Sequence, residues 1–210
     1  MSQRLIESFL SSPVDDLSLV LETDRLVLEP ITTDHVEKML TILCDEALYQ
    51  YIPQNPPNSE SLKKTYGFWQ NRKSPDSKEI WLNWAAKLKT TNEYIGHFQA
   101  GWDSKNGFSV AYTVGVQFQK QGFAKEAVNS VIDFLISHFN AATVRAWIDT
   151  RNLASINLMK SLGFTQCGFI ENADEFKGSK SDEFVFEKTS PSQWERYFLK
   201  NKGRAIRPLF

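Results

Sequence analysis

Gln119, Lys120, Gln121, Gly122, Phe123 and Ala124 stand where the sequence changes character. Upstream, Phe108 to Val116 is rich in aromatic and β-branched residues and predicts a strand. Downstream, Ala124, Ala127, Val128, Val131, Ile132, Leu135 and Ile136 recur at helical spacing. The six residues therefore form a strand-to-helix turn. A helix start leaves several backbone N–H groups without intrahelical acceptors and carries partial positive charge, which makes it an anion site. Gly122 and the small Ala124 let a bulky pyrophosphate approach those amides, and Gln119, Lys120 and Gln121 add side-chain donors. Gly122 also adopts a positive φ at little cost.

Other residues could move protons. His97, between Gly96 and Phe98 on a predicted strand, has an unperturbed pKa of about 6.5, suited to proton transfer at neutral pH; it points either into a cleft or into packing. Asn152 is placed to cap a helix that buries Ile156, Met159 and Leu162 and closes at Gly163, with Ser155 in its first turn. Asp149 reads as a strand-end residue, Glu126 as a first-turn helix acid and His35 as a packing or surface histidine.

Gln119 to Ala124 resembles the Gln/Arg-x-x-Gly-x-Gly/Ala pyrophosphate loop of the GNAT N-acetyltransferases. Asn152-x-x-Ser155, followed by Leu158-Met159-Lys160-Ser161-Leu162-Gly163-Phe164, is similar to the second coenzyme-side motif of the ribosomal-protein N-terminal acetyltransferase branch. The resemblance covers roughly residues 24 to 190. It implies acetyl-CoA as cosubstrate and a primary amine as acceptor, either a protein N-terminus or a small molecule such as a polyamine or aminoglycoside. Implied coenzyme contacts are Gln119, Lys120, Gln121, Gly122, Phe123, Ala124, Asn152 and Ser155, with backbone around Val114 and Val116 stabilising the oxyanion. Many family members protonate the departing thiolate with a tyrosine at the position held here by Met159. Ser155 matches the serine of the ribosomal-protein branch and either hydrogen-bonds the sulfur or is a plain first-turn serine. The branch's glutamate base corresponds most closely to Asp174, with Glu175 beside it; members that take an acid from the coenzyme strand have Ser109 as counterpart. The missing tyrosine leaves open a catalytically inactive CoA-binding regulatory module. A nucleotide-binding protein is disfavoured because GKS/GKT and GxGxxG are absent.

At 210 residues and 41% hydrophobic content the chain suits one soluble globular domain. The expected division is an N-terminal extension over 1–22, an acetyltransferase domain over 23–198 and a basic tail over 199–210. A net charge of −1 argues against nucleic acid as the main partner. Cys44 and Cys167 read as free core thiols of a reducing, cytoplasmic compartment. Three scattered histidines give no metal cluster, and no run approaches the ~18 apolar residues of a membrane span. A homodimer is compatible with this composition.

The elements that position the chemistry follow in order. A short helix over Leu5 to Leu10 either docks or belongs to a loose arm. Arg25 to Pro30 predicts a strand, and helices capped by Thr33 and Ser59 follow, the second carrying Tyr66 and Trp69. With Tyr49 and Tyr51, these aromatics line an acceptor cleft or fill the core. Ile80 to Leu88 and Glu93 to Trp102 form a hairpin, a second turn over Asp103 to Gly107 leads into the opening stretch, and Thr143 to Asp149 follows the crossover helix as a parallel neighbour. Phe164 to Ile170 and Glu183 to Glu187 read as final strands separated by a polar loop, Asn172 to Asp182, with a short helix over Pro191 to Phe198. The fold class is therefore α/β. With the family resemblance, it is a GNAT fold with a mixed, mostly antiparallel sheet, a central parallel pair splayed at the coenzyme site, and flanking helices.

Overall fold

A computed structural model describes residues 3–11 and 19–190. The elements are α1 (Gln3–Ser11), β1 (Leu21–Glu22), β2 (Leu26–Pro30), α2 (Val36–Leu43), α3 (Ser59–Trp69), β3 (Ile80–Leu88), β4 (Tyr94–Asp103) and β5 (Gly107–Val114). They continue with α4 (Phe123–Phe139), β6 (Thr143–Asp149), α5 (Leu153–Ser161), β7 (Thr165–Phe176) and β8 (Ser179–Thr189). The strands form one sheet in the order β1-β2-β3-β4-β5-β6-β8-β7. All pairs are antiparallel except β5 with β6, which the α4 crossover makes parallel. The α/β class and the mixed sheet are as the sequence predicts.

Period-two alternation decides what each face of the sheet carries. Phe108, Val110 and Val114 of β5, with Val144, Ala146 and Ile148 of β6, join the large core beneath α4 and α5. Ala127, Val128, Val131, Ile132 and Leu135 give α4 its buried stripe, and Ile156, Met159 and Leu162 do so for α5. On the opposite face Val36, Met39, Ile42, Leu62 and Tyr66 of α2 and α3 close a smaller core over Ala85 and Tyr94. The N-terminal helix docks: Ile6 is buried, Phe9 meets the ring of Phe139 edge-on at 5.4 Å, and Lys73 Nζ donates to the Leu10 carbonyl at 2.8 Å.

Several boundaries differ from expectation. The opening strand stops at Val114, because a 3₁₀ turn over Val116–Phe118 intervenes before the helix. Thr32 precedes the first helical turn, its N–H donating to His35 Nδ1 at 3.1 Å, so His35 is a satisfied packing residue. Asn58, one residue before Ser59, caps α3 by accepting from the Ser61 N–H at 2.8 Å. The largest correction is residues 172–182: β7 and β8 run on through them as a long hairpin, with Asp174 opposite Ser181 and Phe176 opposite Ser179. Its tip, Lys177-Gly178, takes the positive φ that the tight turn requires. Both cysteines are exposed, not core residues. The helix expected over Pro191 to Phe198 and the basic tail lie outside the described residues. Among the described residues, no helix is long and apolar enough to cross a membrane, and no group of three metal-ligating side chains comes together.

Candidate active site

β5 and β6 pair only at Phe108 with Val144 and Ser109 with Arg145. Beyond those two pairs the strands diverge, and the seam opens toward their C-terminal ends, where the switch point of an α/β sheet ordinarily places a ligand. The Gly115 N–H donates to the Ile95 carbonyl on β4 at 2.9 Å. Strand alternation then turns the Val114 N–H to the other edge, toward the open seam. A chain bearing its own amides can pair there as an added strand would. Val116, expected beside it, instead begins the 3₁₀ turn and is 42% exposed.

The loop over the mouth of the seam fits an anion. Gly122 is the residue before α4, at φ +82°, and Lys120 has φ +60°. The N–H groups of Lys120 through Lys125 find no acceptor among the described residues, whereas that of Glu126 already bonds the Gly122 carbonyl. These amides sit at the positive end of a 17-residue helix. Two expected side-chain donors are partly committed: Gln119 Nε2 donates to the Val114 carbonyl at 3.1 Å and Gln121 Nε2 to the Gln117 carbonyl at 2.8 Å. They build the loop, and Lys120 is left as its exposed charge. Phe123 is buried and Ala124 half-buried.

Arg25 escaped the sequence reading. Its Nε donates to Glu126 Oε2 at 2.6 Å, its Nη1 to the Gln121 carbonyl at 3.0 Å, and its guanidinium lies 4.4 Å from the Phe123 ring centroid. It ties the approach to β2 to the loop and the first turn of α4. Burial disfavours charge on Glu126, but Thr23 and Arg25 outweigh it and lower its pKa. The only sequence signal of Arg25 is a basic residue opening the predicted strand Arg25 to Pro30, which names no partner.

Across the seam, Asn152 Oδ1 accepts the Ser155 N–H at 3.1 Å and fixes the start of α5. The Ser155 side chain neighbours the phenol of Tyr112. Tyr112 belongs to the same alternating set as Val110 and Val114, facing α4 and α5. Met159, at the position where the resemblance implies a tyrosine, is fully buried in the core.

The opposite face of the same strands carries the other candidates. His97 lies opposite Thr113 of β5 and against Trp69 of α3, their rings 5.4 Å apart. Burial lowers its pKa to about 4, and its Nδ1 has no partner among the described residues. It is therefore a neutral imidazole near pH 7. Tyr66 is wholly buried beneath Trp69 and fills the core, whereas Trp69 and Tyr51 remain half-exposed.

Asp174 sits on a strand, not in a loop, and is exposed. Its register partner Ser181 donates to Asp149 Oδ2 at 2.7 Å. Arg151 also grips Asp149, with Nε to Oδ1 at 2.9 Å and Nη2 to Oδ2 at 2.6 Å. Burial opposes that charge, yet Arg151 and Ser181 prevail and lower the pKa, so Asp149 is a structural clasp at the end of β6. Glu183, opposite Asp149 in register, is the acid that sequence reasoning missed. Burial raises its pKa, and the charges of Asp174 and Asp149 raise it further. The hairpin thus groups Asp174 and Glu183 on the face of His97, while Ser155 and Tyr112 occupy the face covered by α4 and α5. Lys177 at the hairpin tip donates to the Tyr49 carbonyl, which joins the hairpin to the segment after α2.

A shallow concavity of about 640 Å³, lined by Glu22, Asp24, Glu126 and Asp133 among others, meets the anion site only at Lys125 and is mainly acidic. It does not suit a phosphate.

Comparison with known proteins agrees with this geometry. The family model described as an acetyltransferase (GNAT) domain matches residues 25–165. YoaA, an uncharacterized N-acetyltransferase of Bacillus subtilis strain 168, is 24% identical over 176 residues, covering 83% of this chain and 98% of the relative. A GNAT-family acetyltransferase structure from Bacillus anthracis superposes with TM-score 0.70 at 15% identity, covering 81% of this chain and 98% of that one. RimL, a ribosomal L7/L12 α-N-protein acetyltransferase solved in complex with coenzyme A, gives TM-score 0.68 at 16% identity, with 81% and 97% coverage.

Proposed function

The chain belongs to the GNAT acetyltransferase family, and on that premise we propose that it transfers the acetyl group of acetyl-CoA to a primary amine, a protein N-terminus or a small molecule. The observation that carries this reading is the seam between β5 and β6, open beyond two residue pairs and capped by unsatisfied amides at the start of α4. Acyl transfer needs an activated ester carbonyl, a neutral amine and a proton for the leaving thiolate. The seam supplies the first: pyrophosphate rests on the amides of Lys120 to Lys125, the pantetheine arm adds to the edge of β5, and the Val114 N–H polarises the thioester carbonyl.

The acceptor enters from the opposite face, between α3 and the β7–β8 hairpin. Asp174 and Glu183 favour a cationic amine there, and either carboxylate takes the proton that the nitrogen must lose. Glu183 is the better suited, because a carboxylate reluctant to ionise is a stronger base. His97, kept neutral by burial, offers a hydrogen-bonding wall in place of the charge-changing base expected of an exposed histidine. The likeness to a ribosomal-protein acetyltransferase supports a protein N-terminus as one acceptor class, and the hairpin's acidity serves a small polyamine equally.

The test is calorimetric titration with acetyl-CoA, followed by thiol-release assays over peptide and small-amine panels. Micromolar binding with amine-dependent release of free CoA is expected. A folded protein that binds no acetyl-CoA would refute the reading, and tight binding without turnover would make the chain a regulatory CoA-binding module.

A further inference from the structure

Transfer from a thioester to an amine breaks a C–S bond and forms a C–N bond. The sulfur leaves as a thiolate that needs a proton, and the nitrogen gives one up. Resting on the acetyltransferase reading above, we propose that the Tyr112 hydroxyl is the proton donor to the departing sulfur, with the Ser155 side chain as its positioning neighbour.

Tyr112 lies on β5 within the stretch that has no partner on β6, two residues before Val114. A ligand added along that edge passes directly beside it. Its hydroxyl is buried and has no hydrogen-bond partner among the described residues. Buried tyrosine hydroxyls ordinarily find one, because an unmatched polar group loses its hydration without compensation. The Ser155 hydroxyl is close enough to favour the phenolate somewhat, yet no well-formed hydrogen bond joins the two. The phenol therefore has a polar neighbour and a donor that no described residue uses.

The ring is held independently of that hydroxyl. It stacks on Phe98 of β4, with centroids 6.4 Å apart and planes 21° from parallel. Met159, on the facing surface of α5, has no exchangeable proton. Burial raises the pKa of Tyr112, partly opposed by Ser155, so the donor keeps its proton until a thiolate forms. As the C–S bond breaks, the O–H proton passes to sulfur and leaves a phenolate. The proton from the amine departs by the carboxylates on the opposite face. Water entering past the half-buried Ser155 then restores the phenol as the free thiol leaves.

Tyr112→Phe keeps the stacked ring and removes only the donor. Calorimetry of the full chain with CoA and with desulfo-CoA reads the contact without an acceptor. The wild type is expected to prefer CoA by about 5-fold, the size of one hydrogen bond, and Tyr112→Phe to lose that preference while binding desulfo-CoA unchanged. With an amine identified from the panels, kcat should fall about 100-fold with little change in KM for acetyl-CoA. A Tyr112→Phe protein that retains both the CoA preference and its kcat overturns the inference and leaves the acetyltransferase reading standing. A wild type that binds neither compound overturns both.

Discussion

Glu183 and Asp149 face one another across β6 and β8, and their surroundings move them in opposite directions. Glu183 ionises reluctantly, so its charge costs stability in the folded state near neutral pH. Glu183→Gln should leave Tm unchanged or raised while lowering amine turnover about 10-fold or more, measured by thermal melts beside thiol release. Asp149 is the reverse case. Its lowered pKa means that its stabilisation is complete above the unfolded carboxylate value of about 3.9 and is lost as pH falls through the folded value. Asp149→Asn should cost about 2 kcal/mol at pH 7 and progressively less at pH 3, read from denaturant melts at both pH values. Neither contrast was legible in the sequence. The segment from Glu183 to Glu187 announces a strand, but the identity of a facing acid depends on register across a hairpin. Tyr112 was hidden in the same way: as a letter it is one aromatic in a β-prone run, and only the missing β6 partner exposes its chemistry.

The strand-to-helix turn was readable because its causes are local. Gly122 and the apolar spacing of α4 act within a few residues of one another, and the Asn152 cap is equally local to the start of α5. Gly122→Val tests that element. A β-carbon there would lie 3.3 Å from Arg25 Nη2, and φ +82° strains a β-branched residue. The variant should lose about 1–2 kcal/mol of stability and bind acetyl-CoA at least 10-fold more weakly, by calorimetry on protein shown to be folded. The β7–β8 hairpin is the converse. Most of β7 is exposed on both faces, and beyond Ile170, the end of the strand the sequence announces, it lacks apolar alternation, so the polar letters of Asn172 to Asp182 read as a loop. Pairing with β8 stabilises it, and that information is not local to either segment.

At the scale of the molecule, the helix of residues 3–11 shows how a terminal segment becomes part of a fold. Trp84 Nε1 donates to the Leu19 carbonyl at 2.6 Å, so the chain just before β1 is fixed in the same core that Ile6 enters. Sequence left that helix undecided because Phe9 finds its ring partner, Phe139, more than a hundred residues away at the end of α4. The parallel seam has the wider consequence. With only two residue pairs joining β5 to β6, the sheet is mechanically two plates, β1 to β5 and β6 to β8, and on the proposed reading acetyl-CoA would be the mortar between them. Hydrogen–deuterium exchange should then show the amides of Tyr112 and Val114, beyond the two pairs with β6, slowing when coenzyme is added. Tm should climb with its concentration, the protein gaining about 2.7 kcal/mol at 100 times Kd. A cell's supply of acetyl-CoA would set not only how fast this enzyme works but how stiff, and how long-lived, the enzyme is.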